Sequence, residues 1–420
     1  MIEIPYTVSK LAGCVGYKDV YNNRDLSKIE NKKEEAKNAL RLIENGKIFL
    51  NPLRPTIIRQ KPAFTFNNLS SELVSRLIGK NIRVNYNIRQ SDRQAIISNL
   101  ASLLYEGTPF NIYRLDIKNF YENINRKLLI HQLLEEGKCS WQTLELLFSL
   151  FNSFDSHNIV GLPRGLSISS ILSEVYLTDF DIKIRKKSGV FFYARFVDDI
   201  LLVVSEDVTR ADLDGQLKNI LPVGLEFHNE GKRSFLSLPK LQNKQDKFYF
   251  NSFDYLGYEF KVFNIFDNEC GYRKKRKVLI DISSVKVEKI KLRLIHSFTN
   301  YLSNGRSEES FNLLKNRIRA LTGNFTIRDP MTGLKIKTGI YFNYSHKNNF
   351  EYCALLELDK FYRKLLFSTK YPLSCRIARK LSTSQRRSLA GYSFMSGFAS
   401  ARHHSFNYGT LKSIKECWRK

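Results

Sequence analysis

From residue 110 onward the apolar and polar positions fall into two alternating periods. "NIYRLDI" (111–117) alternates as a strand, while "NRKLLIHQLLEE" (125–136) and "WQTLELLFSLFNSF" (141–154) repeat apolar residues at intervals of three and four and predict helices. "GLPRG" (161–165) interrupts the pattern as a loop, and "SISSILSEVYLTDFDIKIRKK" (167–187) predicts one further helix. Next come two apolar, β-branched and aromatic runs, "FFYARFV" and "ILLVVS", which predict a hairpin. A helix in "RADLDGQLKNIL" and strands in "DKFYFNSFDYLGYEFKVF" follow. Strands and helices interleaved with hairpin connections predict an α+β sheet covered by helices on one face. Upstream, "SKIENKKEEAKNALRLIENG" is a charged helix with a solvated face. Beyond about residue 275 the pattern turns mainly helical and basic ("SSVKVEKIKLRLIHSFTNYL", "NLLKNRIRAL") and predicts a separate lobe.

Two adjacent carboxylates, Asp198 and Asp199, sit between the hairpin's apolar runs. Like charges repel, and carrying either into a low-dielectric site is unfavourable by several kcal/mol without a compensating cation. A solvated turn is the simpler account of the pair taken alone. Asp116, which closes the "NIYRLD" strand, would by itself be read as a strand-end or capping residue. A single sheet could bring the two sites together, and three converging carboxylates require cations. Hard oxygen donors select Mg²⁺ or Mn²⁺, with the Ile117 backbone carbonyl as a further ligand. Two such ions about 4 Å apart support in-line phosphoryl displacement, the chemistry of polymerases and nucleases.

The charge balance points the same way. The 420 residues carry 67 Lys and Arg against 41 Asp and Glu, a formal net charge of +26, and so favour a polyanionic partner, nucleic acid ahead of a membrane surface. No apolar run approaches the ~20 residues that span a bilayer, and the first residues lack the basic-then-apolar order of a signal peptide, so a cytoplasmic location is expected. The six cysteines are scattered without a CxxC pair and are expected to be reduced.

Five segments resemble, in order, the catalytic blocks of a reverse transcriptase palm: "RLDIKNFYENI", "GLPRGLSISSILSEVYL", "YARFVDDILLV", "LEFHNEGKRS" and "FDYLGYEF". The likeness is to bacterial reverse transcriptases of the group II intron, retron and phage-defence lineages, which carry "LPRG" where retroviral enzymes have a glutamine form. The resemblance implies Asp116, Asp198 and Asp199 as catalytic metal ligands, two Mg²⁺ ions with Mn²⁺ as substitute, and Tyr121 as an aromatic gate against a ribose 2′-OH. It implies that the loop with Pro163, Arg164 and Gly165 lies along the template base and nucleotide, that Lys232 neutralises the triphosphate, and that "YLGY" (255–258) grips the primer end. Arg89 and Arg93 are implied triphosphate or template contacts, with surface ion pairing as the alternative. Phe196 departs from the tyrosine most relatives carry and implies altered nucleotide handling.

The expected architecture is a right-hand polymerase of class α+β: an N-terminal region and fingers (1–108), a ferredoxin-like palm (109–265), a mainly helical thumb (275–370) and a basic extension (371–420). In the thumb, Lys286, Lys289, Lys291 and Arg293 could grip a duplex backbone, or line a solvated helix. Interleaved cations and aromatics after residue 376 suit phosphate contacts with base stacking, or a terminus ordered only on binding RNA. The implied function is RNA-directed DNA synthesis in an antiviral defence system. Its partners would be a structured noncoding RNA template, a DNA primer or product, and deoxynucleoside triphosphates, with a partner polymerase or effector left open. Template-independent or protein-primed synthesis by the same palm, and an RNA-binding scaffold without activity, are the alternatives.

Overall fold

The computed structural model describes residues 3–58, 61–89, 91–229, 233–241, 250–266, 275–304, 307–329, 333–348 and 353–418. The chain divides into two compact units, Met1–Leu100 with Gly107–Leu241 and Pro330–Thr332, and Ala101–Glu106 with Gln242–Asp329 and Gly333–Lys420.

The first unit begins with helices α1 (Val8–Ala12), α2 (Tyr17–Asn22) and α3 (Ile29–Glu44). The hairpin of β1 (Leu53–Ile58) and β2 (Lys61–Phe66) and helix α4 (Leu69–Asn85) follow, and then α5 (Arg93–Leu104), within which the boundary between units falls. Strand β3 (Phe110–Asp116) leads into helices α6 (Arg126–Glu136), α7 (Trp141–Ser156), α8 (Ser167–Tyr176) and α9 (Thr178–Arg185). The hairpin β4 (Val190–Phe196) and β5 (Asp199–Val204), helix α10 (Arg210–Ile220) and strand β6 (Ser234–Leu238) complete the unit.

These strands form one antiparallel sheet in the order β4-β5-β3-β6. With helices between β3 and β4 and between β5 and β6, this is the β-α-β-β-α-β arrangement of ferredoxin-like folds. The apolar run at 200–204 is buried at every position, which explains why it reads as continuous rather than alternating. Tyr113, Leu115, Ile200, Leu202 and Val204 join the helical residues Leu129, Leu147, Leu172 and Phe180 in one core. The sheet's end therefore has a rigid footing.

Helix starts follow the caps that the sequence supplies: the side chains of Asn68, Asn125, Ser140 and Thr209 accept backbone N–H bonds at α4, α6, α7 and α10. The single helix expected over 167–187 is two helices, broken at Leu177, which is fully buried. The Thr178 hydroxyl donates to the Glu174 carbonyl, and Asp179 and Asp181 fall in the first turn of α9, where carboxylates are favourable.

The second unit holds the sheet β7-β8-β9 (Phe250–Tyr255, Tyr258–Phe266, Arg276–Ile282). Leu256 (φ 48°) and Gly257 (φ 84°) make the two-residue turn of the β7–β8 hairpin, both in the left-handed region that such turns use. Helices α11 (Ser284–Ser303) and α12 (Glu308–Thr322) lead to strands β10 (Asn324–Arg328) and β11 (Lys335–Gly339) and helix α13 (Ile340–Asn343). Helices α14 (Ala354–Phe367), α15 (Pro372–Lys380), α16 (Thr383–Ala390), α17 (Phe394–Ala399), strand β12 (His403–His404) and helix α18 (Tyr408–Glu416) close it. Short β12 pairs in parallel with β10.

The basic, aromatic-rich segment after 376 packs within the second unit: Phe394 is fully buried, and Phe406 packs edge-on against Phe325 at 5.7 Å. Tyr392, Phe398, Phe406 and Tyr408 are half-buried, so part of each ring is covered by the unit itself. In α11, Lys291 pairs with Glu288 and Glu357 at 2.6 and 2.5 Å, and Arg293 lies over the Trp418 ring at 5.3 Å, so both have protein partners. Of the cations expected to face a duplex, Lys289 is exposed and Lys286 half-buried.

His404 is 8% exposed, and its Nδ1 accepts from Arg319 Nε at 3.3 Å. Burial, with Arg319, Arg402 and His403 beside it, pushes the imidazole down to about 4. The unfolded chain titrates near ~6.5, so between these values the unfolded state binds a proton that the folded state refuses, and stability is lost as pH falls. The urea midpoint should decrease between pH 6.5 and 4 in the wild type. It should decrease less in His404→Gln, which keeps an acceptor for Arg319 and does not titrate.

Candidate active site

Asp116, the last residue of β3, lies directly opposite Asp199, the first of β5. The Ile117 N–H donates to the Asp198 carbonyl at 3.0 Å, which makes Asp116 and Asp199 a non-hydrogen-bonded pair. In such pairs the Cα atoms are about 4.5 Å apart and the side chains stand on the same face. Asp198 precedes Asp199 in the turn. All three aspartates thus lie at one end of two central strands. Burial pushes the Asp199 carboxyl up, Arg114 opposes the rise, and the negative charges of Asp116 and Asp198 add to it.

Each of the facing carboxylates has a basic partner. Arg114, two residues before Asp116 and so on its face of the strand, donates through Nε and Nη2 to both oxygens of Asp199 at 3.0 and 3.1 Å. His228 Nε2 is 3.4 Å from Asp116 Oδ2, and the His228 N–H donates to the Asp116 carbonyl at 2.8 Å. His228 arrives because residues 226–228 run antiparallel to 116–118, bridged at Ile117 and Phe227. That pairing uses the Asp116 carbonyl and the Lys118 N–H, not the Ile117 carbonyl.

The turn carrying Asp198 is strained and held. Val197 has φ 63°, a left-handed conformation that costs a β-branched residue roughly 1–3 kcal/mol. Its carbonyl accepts from Arg195 Nη1 at 3.1 Å, while the next carbonyl is tied to Ile117. Arg195, 6% exposed, also pairs with Glu174 of α8 and Asp181 of α9, both at 2.7 Å. These carboxylates raise its pKa despite the opposing effect of burial. The break between α8 and α9 is what lets both acids reach one guanidinium.

The loop 161–165 forms a second wall. Leu162 N–H donates to the Tyr121 carbonyl at 2.8 Å, and the Arg164 carbonyl accepts from Phe64 N–H of β2 at 2.8 Å. The Pro163 carbonyl accepts from the Ser169 hydroxyl at 2.7 Å. Gly161 (φ 65°) and Gly165 (φ 97°) both need the left-handed region, and neither has room for a Cβ: one would lie 2.3 Å from the Tyr121 carbonyl oxygen, the other 2.4 Å from that of Phe64. Arg164 forms a two-pronged ion pair with Glu122 at 2.6 and 3.0 Å, and its guanidinium lies over the Tyr121 ring at 5.5 Å. Burial raises the Tyr121 phenol pKa, and Asp198 raises it further. Tyr121 therefore stands within electrostatic reach of Asp198 and against the loop.

Tyr121 and Phe196 line one cavity of about 60 Å³ together with Arg83, Ile88, Ser91 and Glu174. The connection between α4 and α5 thus reaches the Tyr121 wall. Arg89 is an exposed residue of this connection, and Arg93 is a half-buried residue at the start of α5. Lys232 lies outside the described residues. The hairpin at 255–258 belongs to the second unit. Arg114, Glu122, Glu174, Asp181, Arg195 and His228 were not anticipated. Of these, only Arg114 had a signal in the sequence, its period-two spacing from Asp116.

Three carboxylates and a backbone carbonyl at one sheet end are the hard oxygen donors that Mg²⁺ or Mn²⁺ takes, so the set fits such ions in the kind of donor it offers. Among the described residues no three acidic, histidine or cysteine side chains stand as a ready chelate, and Asp199 is turned onto Arg114. No helix among the described residues is long and apolar enough to cross a membrane. The described cysteines are free.

Residues 75–260 match the family model described as Reverse transcriptase (RNA-dependent DNA polymerase). This segment, somewhat less than half of the chain, is similar to reverse transcriptase domains. It contains the palm-like sheet, the loop 161–165 and all three aspartates. No curated protein matches the chain. Among solved structures, the telomerase from Candida albicans in complex with a TWJ fragment of telomeric RNA is 14% identical, with a TM-score of 0.31. The alignment covers 82% of this chain and 53% of that one, so the chain spans about half the length of that telomerase.

Because Gly165 needs both a left-handed backbone and contact with Phe64, Gly165→Ala should destabilise the protein by about 2 kcal/mol or more in denaturant unfolding. An unchanged midpoint would show that the loop can rearrange without loss.

Proposed function

We propose that the chain is an RNA-directed DNA polymerase that extends a primer on an RNA template from deoxynucleoside triphosphates, with Asp116, Asp198 and Asp199 as its catalytic carboxylates. The observation that carries this reading is the facing of Asp116 and Asp199 across β3 and β5, with Asp198 in the adjoining turn, inside a segment similar to reverse transcriptase domains. A primer 3′-hydroxyl oxygen forms the new bond to the α-phosphorus, the bond to pyrophosphate breaks, and the hydroxyl proton is lost to the surroundings. Two Mg²⁺ ions held by the three aspartates and the Ile117 carbonyl, when bound, supply charge neutralisation of the attacking and leaving oxygens.

The chain's own groups do the positioning. Val197 and its tether to Arg195 fix where Asp198 sits, and the β3–β5 register fixes Asp116 against Asp199. Tyr121, stacked under Arg164 and backed by the loop 161–165, presents its ring where a ribose 2′-OH would crowd it. Pro163, Arg164 and Gly165 form the wall along the template base and nucleotide, and Arg89, Arg93 and Lys232 are proposed contacts for triphosphate or template. The four-part organisation of fingers, palm, thumb and basic extension belongs to this reading. So does a role in bacterial antiviral defence with a cognate structured RNA, supported by the "LPRG" form of the loop. Sequencing the nucleic acid that copurifies with the protein tests that context: a structured RNA with complementary DNA is expected.

Replacing Asp198 and Asp199 together by asparagine should lower templated incorporation by about a thousandfold or more while RNA retention on a filter stays within about twofold. Incorporation at the wild-type rate would remove the assignment, and incorporation independent of added RNA would shift it to untemplated synthesis. Tyr121→Ala should raise ribonucleotide use relative to deoxyribonucleotide by about tenfold or more, read from the ratio of kcat/KM values.

A further inference from the structure

The Arg114–Asp199 ion pair is an unusual object to find in a site read as a cation centre. Asp199 has an 18% exposed side chain, and both of its oxygens are taken by the guanidinium fork of Arg114, whose own side chain is 30% exposed. A fork of this geometry is the strong form of a carboxylate pair, oriented as well as charged. Its cause is local. The facing of Asp116 and Asp199 sets like charges opposite one another, which is destabilising in a sheet, and Arg114 is the cation that strand periodicity delivers to the same face.

We propose that Arg114 is a positioning residue that holds Asp199 through both carboxylate oxygens and competes with a divalent ion for them, so that cation binding at Asp199 would require Arg114 to let go. The proposal rests on the assignment of Asp116, Asp198 and Asp199 as ligands. Two features make the exchange physically available. Arg114 is exposed enough to swing into solvent, whereas Asp199, the first residue of β5, is fixed by its strand. Release also removes a positive charge from the immediate neighbourhood of a doubly charged ion, a repulsion that weakens binding for as long as the fork stays in place. The consequence is a site that discriminates against free cations and fills when a competing anion, such as a triphosphate, gives Arg114 another partner.

The test uses the full chain and Mn²⁺ as probe, without nucleotide, counting free Mn²⁺ by electron paramagnetic resonance. Arg114→Gln should bind Mn²⁺ about tenfold tighter than the wild type, and Arg114→Lys should fall between them, because a lysine keeps the charge without the fork. In thermal unfolding, Arg114→Gln should have the lower Tm in chelator and the larger gain on adding Mg²⁺, which also establishes that the variant is folded. Affinity unchanged within about twofold, or weakened, with an unchanged Mg²⁺ gain in Tm, would overturn the role of Arg114 while leaving the carboxylate assignment intact. If Mn²⁺ binds neither the wild type nor Arg114→Gln at a site that Asp116→Asn abolishes, the carboxylate assignment itself fails, and this proposal with it.

Discussion

Everything at the sheet end depends on two aspartates facing each other across a non-hydrogen-bonded antiparallel pair. Asp116 and Asp199 are brought together by register, and because β5 is buried on both faces a one-residue slip would exchange its side chains between two differently packed surfaces. The run at 200–204 is buried at every position, so the cost of slipping is the loss of that packing. The repulsion is tolerated because the alternative registers are worse, and because Arg114 and His228 stand against the two acids. Hydrophobic burial thus enforces an electrostatic arrangement that charges alone would avoid.

The surrounding structure divides its work between two supports. On one side the buried guanidinium of Arg195 gathers Glu174, Asp181 and the Val197 carbonyl, holding a strained turn from behind. Breaking one partner of such a buried cluster typically costs about 3–5 kcal/mol, so the turn's conformation is coupled to the packing of α8 and α9. On the other side the loop 161–165 fastens Tyr121 and the β1–β2 hairpin to the palm through backbone hydrogen bonds that only glycines at 161 and 165 permit. Local strain and close backbone approach are concentrated where the chain must present Asp198 and Tyr121 in fixed places.

The second unit shows the opposite economy. Its cations and aromatics, which by composition suit nucleic acid, are partly committed to the unit itself: Lys291 to Glu288 and Glu357, Arg293 to Trp418, Phe406 to Phe325. A basic composition is therefore a weak guide to which individual residues face a phosphate backbone.

Sequence alone determined α3, β3, α6, α7, the β4–β5 hairpin and α10 almost to their ends, because apolar periodicity and capping residues such as Asn125 and Ser140 act over a few residues, while α1, α2, the β1–β2 hairpin, α4, α5 and β6 carry no comparably clear pattern. It also singled out Asp116, Asp198, Asp199, Tyr121 and the two loop glycines, whose chemistry is written in short ordered segments. Tertiary structure decided what stands beside them. The break at Leu177, the Arg195 cluster, the seat of His228 and the grip of Arg114 on Asp199 each join residues far apart in the chain or turn on one side-chain rotamer. Periodicity records which face a residue takes; only closing the sheet and packing its helices settles which charges then meet on that face.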